Sequence, residues 1–311
     1  MRLYCSIDEI ADLGGRPRAV AIGTFDGVHR GHQEIIRQAV AAAAQMDGVA
    51  TVLTFEPHPD AVLRPDEAPG LLTTLEQKVH LLGRLGVGEV VAVPFTPAFS
   101  RVSPEEFCAR LLSARLGARQ VMVGDNFHFG YRGAGAPGDL LTFGLDHGFS
   151  VTAVRLLESE GGPISSTRIR GALRAGDVAR AGRLLGRPFA LEGPVVGGAG
   201  RGRGLGVPTA NLPVERELAT PALGVYVTRT STDRGEGMPS VTSVGTNPTF
   251  ESDGVVRVET FLLDFAGALY GERITVEFLE RLRDQQTFAT AEALVEQMHA
   301  DIARASAHFS S

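Results

Sequence analysis

The 311-residue chain has almost no lysine: its 30 basic residues are arginines except for Lys78. A P-loop needs GxxxxGK followed by Ser or Thr, whereas Lys78 lies in the helical pattern LEQKVHLLGRLG, so a P-loop is excluded. Cysteine is nearly as scarce. Cys5 and Cys108 are far apart and lack metal-type spacing, which supports neither a disulfide framework nor a zinc finger. No apolar run approaches the roughly 18–20 residues of a membrane span. The opening stretch MRLYCSIDEIADLGG also has no apolar core of signal-peptide length, so the expectation is a cytoplasmic protein with no membrane partner. Positive charge is in deficit as well. A net charge of -6 argues against a general nucleic-acid binder and leaves the basic clusters RGRG (201–204) and TRIR (167–170) as sites for small anions.

What is present is apolar material in two different rhythms. Hydrophobic residues make up 43% and charged residues 21%, enough for real cores, and the length suggests two domains. Up to about residue 157, the runs RAVAIG, VATVLTF, EVVAVPF, RQVMVG and VTAVRLL alternate with helical patterns such as Ile35, Ile36, Ala39, Val40 and Ala43. Ser103, Pro104 and Glu106 spell a capping box. This half is expected to be α/β, a Rossmann-like doubly wound parallel sheet covered on both faces. A short helical segment, DVARAGRLL, ends at Gly186. Beyond it GVYVTRTS, PSVTSVG, VRVETFLLDF and ERITVEFL read as strands of an antiparallel sheet or small barrel. A last helix follows, with Thr290 as N-cap and Leu294, Met298 and Ile302 on one face. The expected domains are 1–186 and 187–311.

The stretch GTFDGVHRGH, Gly23 to His32, joins an apolar strand to a helix. Gly27 and Gly31 would let a phosphate approach the backbone, and imidazoles would donate to it at a helix N-terminus. Two other readings stay open: a zinc site on His29 and His32, although their i, i+3 spacing departs from the i, i+4 helical pair, or a tight turn and no more. Downstream, GPISSTRIRGAL offers the hydroxyls of Ser165, Ser166 and Thr167 and the charges of Arg168 and Arg170. These suit a triphosphate or a departing pyrophosphate, and Ser-Ser-Thr is equally an N-cap. His58, between two prolines in EPHPD, is a third ligand, a substrate contact or a loop residue.

In the second half, no frame of GGAGRGRGLGVPTANL satisfies GxGxxG, and no helix follows it, so a dinucleotide fingerprint is rejected. A Gly/Arg linker is the alternative, against which Leu205, Val207 and Leu212 offer anchors. Thr209 and Asn211 share a face if extended, and their oxygens are hard ligands suited to Mg²⁺ carrying nucleotide phosphates. Glu259 interrupts VRVETFLL, either as a solvated strand position or as a base near a metal-bound ATP.

HRGH fits the HxGH signature of the nucleotidylyltransferase superfamily, and ISSTRIR resembles its phosphate-closing motif. With TFEPHP, LTTLEQK and VGDNFHFG, the order over residues 18–186 resembles the FAD synthetase module of bacterial bifunctional riboflavin kinase/FAD synthetases. GRGRGLGVPTANL, VGTNPTF, VETFLLDFAGALYG and VEFLERLRDQQTF are similar to the riboflavin kinase module of the same family, a β-barrel with a terminal helix. The resemblance implies ATP-dependent conversion of riboflavin to FMN, with Mg²⁺, and of FMN to FAD and pyrophosphate. It implies catalytic roles for His29, His32 and Glu259. ATP and its phosphates fall to Gly23, Thr24, Phe25, Gly31, Asn126, Ser165, Thr167, Arg168, Gly202 and Gly204. The flavin falls to His58, Asp125, Thr246 and Asn247, and the metal to Thr209 and Asn211. Thr24 stands where many relatives have Asn, and Gly198-Ala199 where many have an acidic residue. Three rivals are an adenylyltransferase whose β half only binds, a flavin-sensing or RNA-binding regulator, and a zinc hydrolase built on His29, His32 and Asp26. Homo-oligomerisation is left open.

Overall fold

The computed structural model describes residues 1–6, 9, 15–197, 209–246, 256–265 and 267–310. Its packing divides the chain into two compact units, Met1–Ser166 and Thr167–Ser311.

The first unit is a parallel sheet of β1 (Arg2–Tyr4), β2 (Arg18–Ile22), β3 (Val49–Glu56), β4 (Glu89–Pro94), β5 (Ala118–Gly124) and β6 (Ser150–Val154), in the order β1-β4-β3-β2-β5-β6. The five longer strands coincide with the five apolar runs. Alternate residues of each strand feed separate cores, which is why the runs are continuously apolar. Val20 and Ile22 pack on one face with Leu112, Leu116 and Leu140; Ala19 and Ala21 pack on the other with Ile35, Ile36 and Ala39 of α1 (Arg30–Gln45). α2 (Pro59–Leu63) and α3 (Leu75–Arg84) follow β3, and α5 (Pro137–His147) precedes β6. Ser103 does cap α4 (Pro104–Glu106) by accepting from the Glu106 N–H, but the Glu106 carboxylate pairs with Arg110, and a π-helix (Phe107–Arg115) continues the segment.

At the amino ends of the strands, the otherwise apolar runs carry a buried pair, Arg18 Nε to Glu89 at 2.8 Å, backed by the Thr51 hydroxyl at 3.1 Å. Arg18 Nη1 also donates to the Leu116 carbonyl at 2.9 Å, so the two charges are paired, while Nη2 is buried without a hydrogen-bond partner.

The second unit opens with α6 (Ser166–Arg174) and α7 (Val178–Leu185), closed by Gly186 at φ 76°. Val178, Ala181, Leu184 and Leu185 of α7 are buried, and the helix packs on β7 (Phe189–Pro194) and β12 (Arg273–Arg283). The antiparallel sheet runs β7-β12-β9-β10-β11-β8, with β8 Ala210–Pro213, β9 Gly224–Thr232, β10 Gly235–Thr246 and β11 Val256–Leu262. A bridge between Val196 and Asn211 (2.9 Å) brings its two ends together, which makes a nearly closed barrel.

Inside the barrel lie Tyr226, Phe278 and Phe189, together with five fully buried hydroxyl residues: Thr228, Thr230, Ser240, Thr242 and Thr260. These bond to each other, for example Thr228 to Thr242 at 2.7 Å, so none costs an unmade hydrogen bond.

The terminal helix α8 (Ala291–Ser310) is capped by Thr290, whose hydroxyl accepts from the Ala293 N–H. Leu294, Met298 and Ile302 are half-buried, and the deepest positions are Asp301 and Ala305. Asp301 accepts from Arg283 at 2.8–3.1 Å and from Gln297 at 3.0 Å.

Candidate active sites

In the first unit the strand order reverses about β2, which lies between β3 and β5. Ligands bind outside the carboxyl ends of such sheets at this switch point. The carboxyl ends of the three strands lead to the Gly23–His32 turn, to His58 and to Asp125–Asn126.

The turn itself is strained. Phe25 (φ 48°), Gly27 (φ 80°) and Val28 (φ 41°) all lie in the left-handed region, costly for the two residues that carry a Cβ, at about 1–3 kcal/mol each. His29 is the N-cap of α1, and its Nδ1 accepts the His32 N–H at 3.2 Å. That bond leaves the ring proton on Nε2, a donor form for an anion.

The His29 and His32 rings stack, with centroids 3.5 Å apart at 17°, and Phe25 meets His32 edge-on at 5.2 Å. Gly31 lets the His29 ring lie where it does, because a Cβ there would stand 3.2 Å from His29 Cε1. His32 Nδ1 is buried without a hydrogen-bond partner. Burial, then the neighbouring His29 and Lys78, hold the His32 imidazole well below its ordinary value. Lys78 on α3 is itself buried. Burial lowers its ammonium, opposed by Asp26 and Glu56.

The other predicted residues are placed as follows. The Thr24 carbonyl accepts the Thr54 hydroxyl at 3.0 Å, and the Gly23 N–H reaches the Leu53 carbonyl at 3.1 Å. Asp125 and Asn126 are exposed just after β5, and Asp125 takes the Leu156 N–H at 3.4 Å. His58 caps α2 through the Asp60 N–H at 3.2 Å. Ser165 is half-buried, and the Ser166 hydroxyl donates to the Asp26 carbonyl at 2.9 Å. Thr167 and Arg168 lie on α6, counted with the second unit. Among the described residues, no group of three or more His, Cys, Asp or Glu is placed to hold a metal, so the zinc reading gains no third ligand.

In the second unit the ladder between β8 and β11 places Asn211 directly opposite Glu259, and β10 places Ser243 on the other side of Glu259. Directly opposed residues share a face about 4.5–5.5 Å apart. Asn211 and Glu259 are both half-buried, and Thr209 immediately precedes β8. Their oxygens are the hard donors a Mg²⁺–nucleotide complex needs. Thr246 ends β10 and lines an open cleft of ≈ 750 Å³ with Leu223, Asp284, Gln285, Gln286 and Thr287. Gly202, Gly204, Asn247 and the Gly198-Ala199 departure lie outside the described residues.

Two family models match in this order: FAD synthetase over residues 14–168 and riboflavin kinase over 185–309. The bifunctional riboflavin kinase/FMN adenylyltransferase of Pseudomonas fluorescens is 41% identical, covering 92% of this chain and 91% of its own. The chain belongs to this bifunctional family. Its Listeria monocytogenes relative of the same description is 37% identical over 94% of this chain and 92% of its own. A solved structure from Streptococcus pneumoniae is 35% identical with a TM-score of 0.85, over 96% of this chain and 97% of that one, and bears the name macrolide-efflux protein. No helix among the described residues is long and apolar enough to cross a membrane.

The motif strings identified this family correctly, and the fold expected from the two rhythms is the fold present. They did not single out Thr73, whose hydroxyl supports the turn, or the burial of Lys78 beside it. Asp26 entered only as a zinc-hydrolase residue. The LTT preceding α3 was the available signal: Thr74 and Gln77 make a full capping box there, which fixes the segment that carries Thr73.

Proposed function

We propose that this chain phosphorylates riboflavin with ATP at the barrel unit and adenylylates the resulting FMN with ATP at the parallel-sheet unit, releasing pyrophosphate. The observation that carries the second step is the stacked His29–His32 pair at the switch point, in which His29 Nδ1 accepts the His32 N–H. In that step the FMN phosphate oxygen attacks the α-phosphorus of ATP and pyrophosphate leaves. Positioning and charge stabilisation suffice, without a covalent intermediate. His29 and His32, with the free N–H groups of α1, face the developing charge. Gly23, Thr24, Phe25, Asn126, Ser165, Thr167 and Arg168 hold the nucleotide, and His58 and Asp125 contact the flavin.

For the kinase step, Glu259 takes the proton of the riboflavin 5′-hydroxyl as its oxygen attacks the γ-phosphorus. Asn211, opposite Glu259, and Thr209 would hold Mg²⁺ with the ATP phosphates, and the ion supplies charge neutralisation when bound. Thr246 and Asn247 contact the flavin, and Gly202 and Gly204 the phosphates. We place the functional division at residues 186/187 and the protein in the cytoplasm.

The test is to incubate the protein with riboflavin, ATP and Mg²⁺ and separate the flavins by chromatography. His32→Ala should cut FAD formation on the order of 10²–10³ while FMN accumulates, and excess chelator should stop FMN formation. Unchanged FAD synthesis in His32→Ala, or full kinase activity under chelation, would refute the corresponding site.

A further inference from the structure

The strained turn is shaped from outside itself. Asp26 is 1% exposed, and its Oδ1 accepts the N–H of Leu72 at 2.8 Å and of Thr73 at 3.3 Å. Thr73 answers in the opposite direction: its hydroxyl accepts the Gly27 N–H at 3.1 Å. The two segments therefore exchange bonds across the residues that hold left-handed φ, and the Asp26 carbonyl receives the Ser166 hydroxyl as well. A non-glycine residue stays in that region only where its surroundings over-determine it. Phe25 and Val28 flank this exchange, and His29 follows immediately.

We propose that Asp26 and Thr73 are positioning residues for adenylyl transfer: as buried acceptors they fix the backbone of the turn, and through it the placement of the His29–His32 pair. This rests on the assignment of that pair to FAD formation. What Asp26 gives the turn is an acceptor oxygen, on which both N–H groups converge, and its charge is felt separately by the buried Lys78. A carboxamide oxygen can take its place.

The experiment measures kcat and KM for FMN-to-FAD conversion, and FMN formation separately, in the full chain carrying Asp26→Ala, Asp26→Asn, Thr73→Val, Thr73→Ser or His32→Ala. Because a misplacement near 1 Å costs about 10²-fold, Asp26→Ala and Thr73→Val should each lower kcat by about 10²-fold with KM for ATP changed far less. Asp26→Asn and Thr73→Ser should recover most of that loss, and FMN formation should hold in all five. Wild-type kcat in Asp26→Ala or Thr73→Val, alongside an impaired His32→Ala, overturns the inference and leaves the site assignment standing. Asp26→Asn as impaired as Asp26→Ala also overturns it, because charge would then be the property that matters. Wild-type FAD formation in His32→Ala overturns the assignment and the inference together.

Discussion

Gly31→Ala separates the geometry of the site from the stability of the fold. Gly31 is the second residue of α1 and has no positive φ, so alanine meets no backbone penalty there. A Cβ at this position would lie 3.2 Å from His29 Cε1, 3.3 Å from Nδ1 and 3.7 Å from the Ile164 carbonyl oxygen. Carbon atoms prefer about 3.5–4.0 Å, so the ring must yield by a few tenths of an ångström. It cannot do so without loss, since its Nδ1 holds the His32 N–H and its face lies 3.5 Å from the His32 ring. Scaling from about 10²-fold per ångström of misplacement, the displacement should slow FAD formation by about five- to tenfold. Alanine is favoured over glycine in a helix by about 0.5–1 kcal/mol, at the small end in a first turn, and the crowding opposes it, so stability should change by less than about 1 kcal/mol. Chromatographic rates of FAD and FMN formation, with a thermal unfolding curve, test this. Unchanged FAD formation would refute the ring-contact argument. A parallel fall in FMN formation would show that the change is not local.

Three further outcomes are expected. Glu259→Gln keeps shape and hydrogen bonding but removes the base, so FMN formation should fall by about 10²-fold or more while FMN-to-FAD conversion stays intact. Loss of both in a folded protein would contradict the two-site scheme. The depressed His32 imidazole makes the first unit sensitive to acid. Above the ordinary value of 6.5 both folded and unfolded chains hold it neutral, but below that only the unfolded chain takes the proton. Stability should therefore fall as pH drops through that value, and denaturant titrations should show a shallower slope in His32→Gln; an unchanged slope counts against the burial argument. Finally, residues 167–311 expressed alone should phosphorylate riboflavin, whereas 187–311 should not fold. The shorter fragment lacks the four buried α7 side chains Val178, Ala181, Leu184 and Leu185. At about 1.5–3 kcal/mol for each of the larger ones, their loss rivals a typical total stability of about 5–15 kcal/mol. A folded, active 187–311 fragment would refute this.

What the sequence made legible follows from where the information is local. The parallel strands were readable because a sheet covered on both faces needs unbroken apolar runs, and α1 because its buried positions recur at the helical period. β1 was not, since Arg2–Tyr4 is a three-residue edge strand with little burial. The π-helix escaped because Phe107, Cys108, Leu111 and Leu112 are spaced as in an α-helix. The cap of α8 was legible from Thr290, but the helix is docked deeply by the buried Asp301 on the half-buried Arg283, a pair that an apolar-face reading passes over.

The same distinction holds at the two sites. His29, His32, Asn211 and Glu259 belong to short strings, so residue types alone could nominate them. What brings Asn211 and Glu259 face to face is the β8–β11 register, and what holds the His turn is the exchange between Asp26–Gly27 and Leu72–Thr73. Both are contacts between segments distant in the chain. The barrel interior makes the point from the opposite side. Thr228, Thr230, Ser240, Thr242 and Thr260 are polar residues in strands, and all five are fully buried. They can be inside because three adjacent strands present them to one another at bonding distance, such as Thr242 to Thr260 at 2.9 Å. Each hydroxyl alone would be costly to bury, and only the assembled sheet supplies the partner that removes the cost.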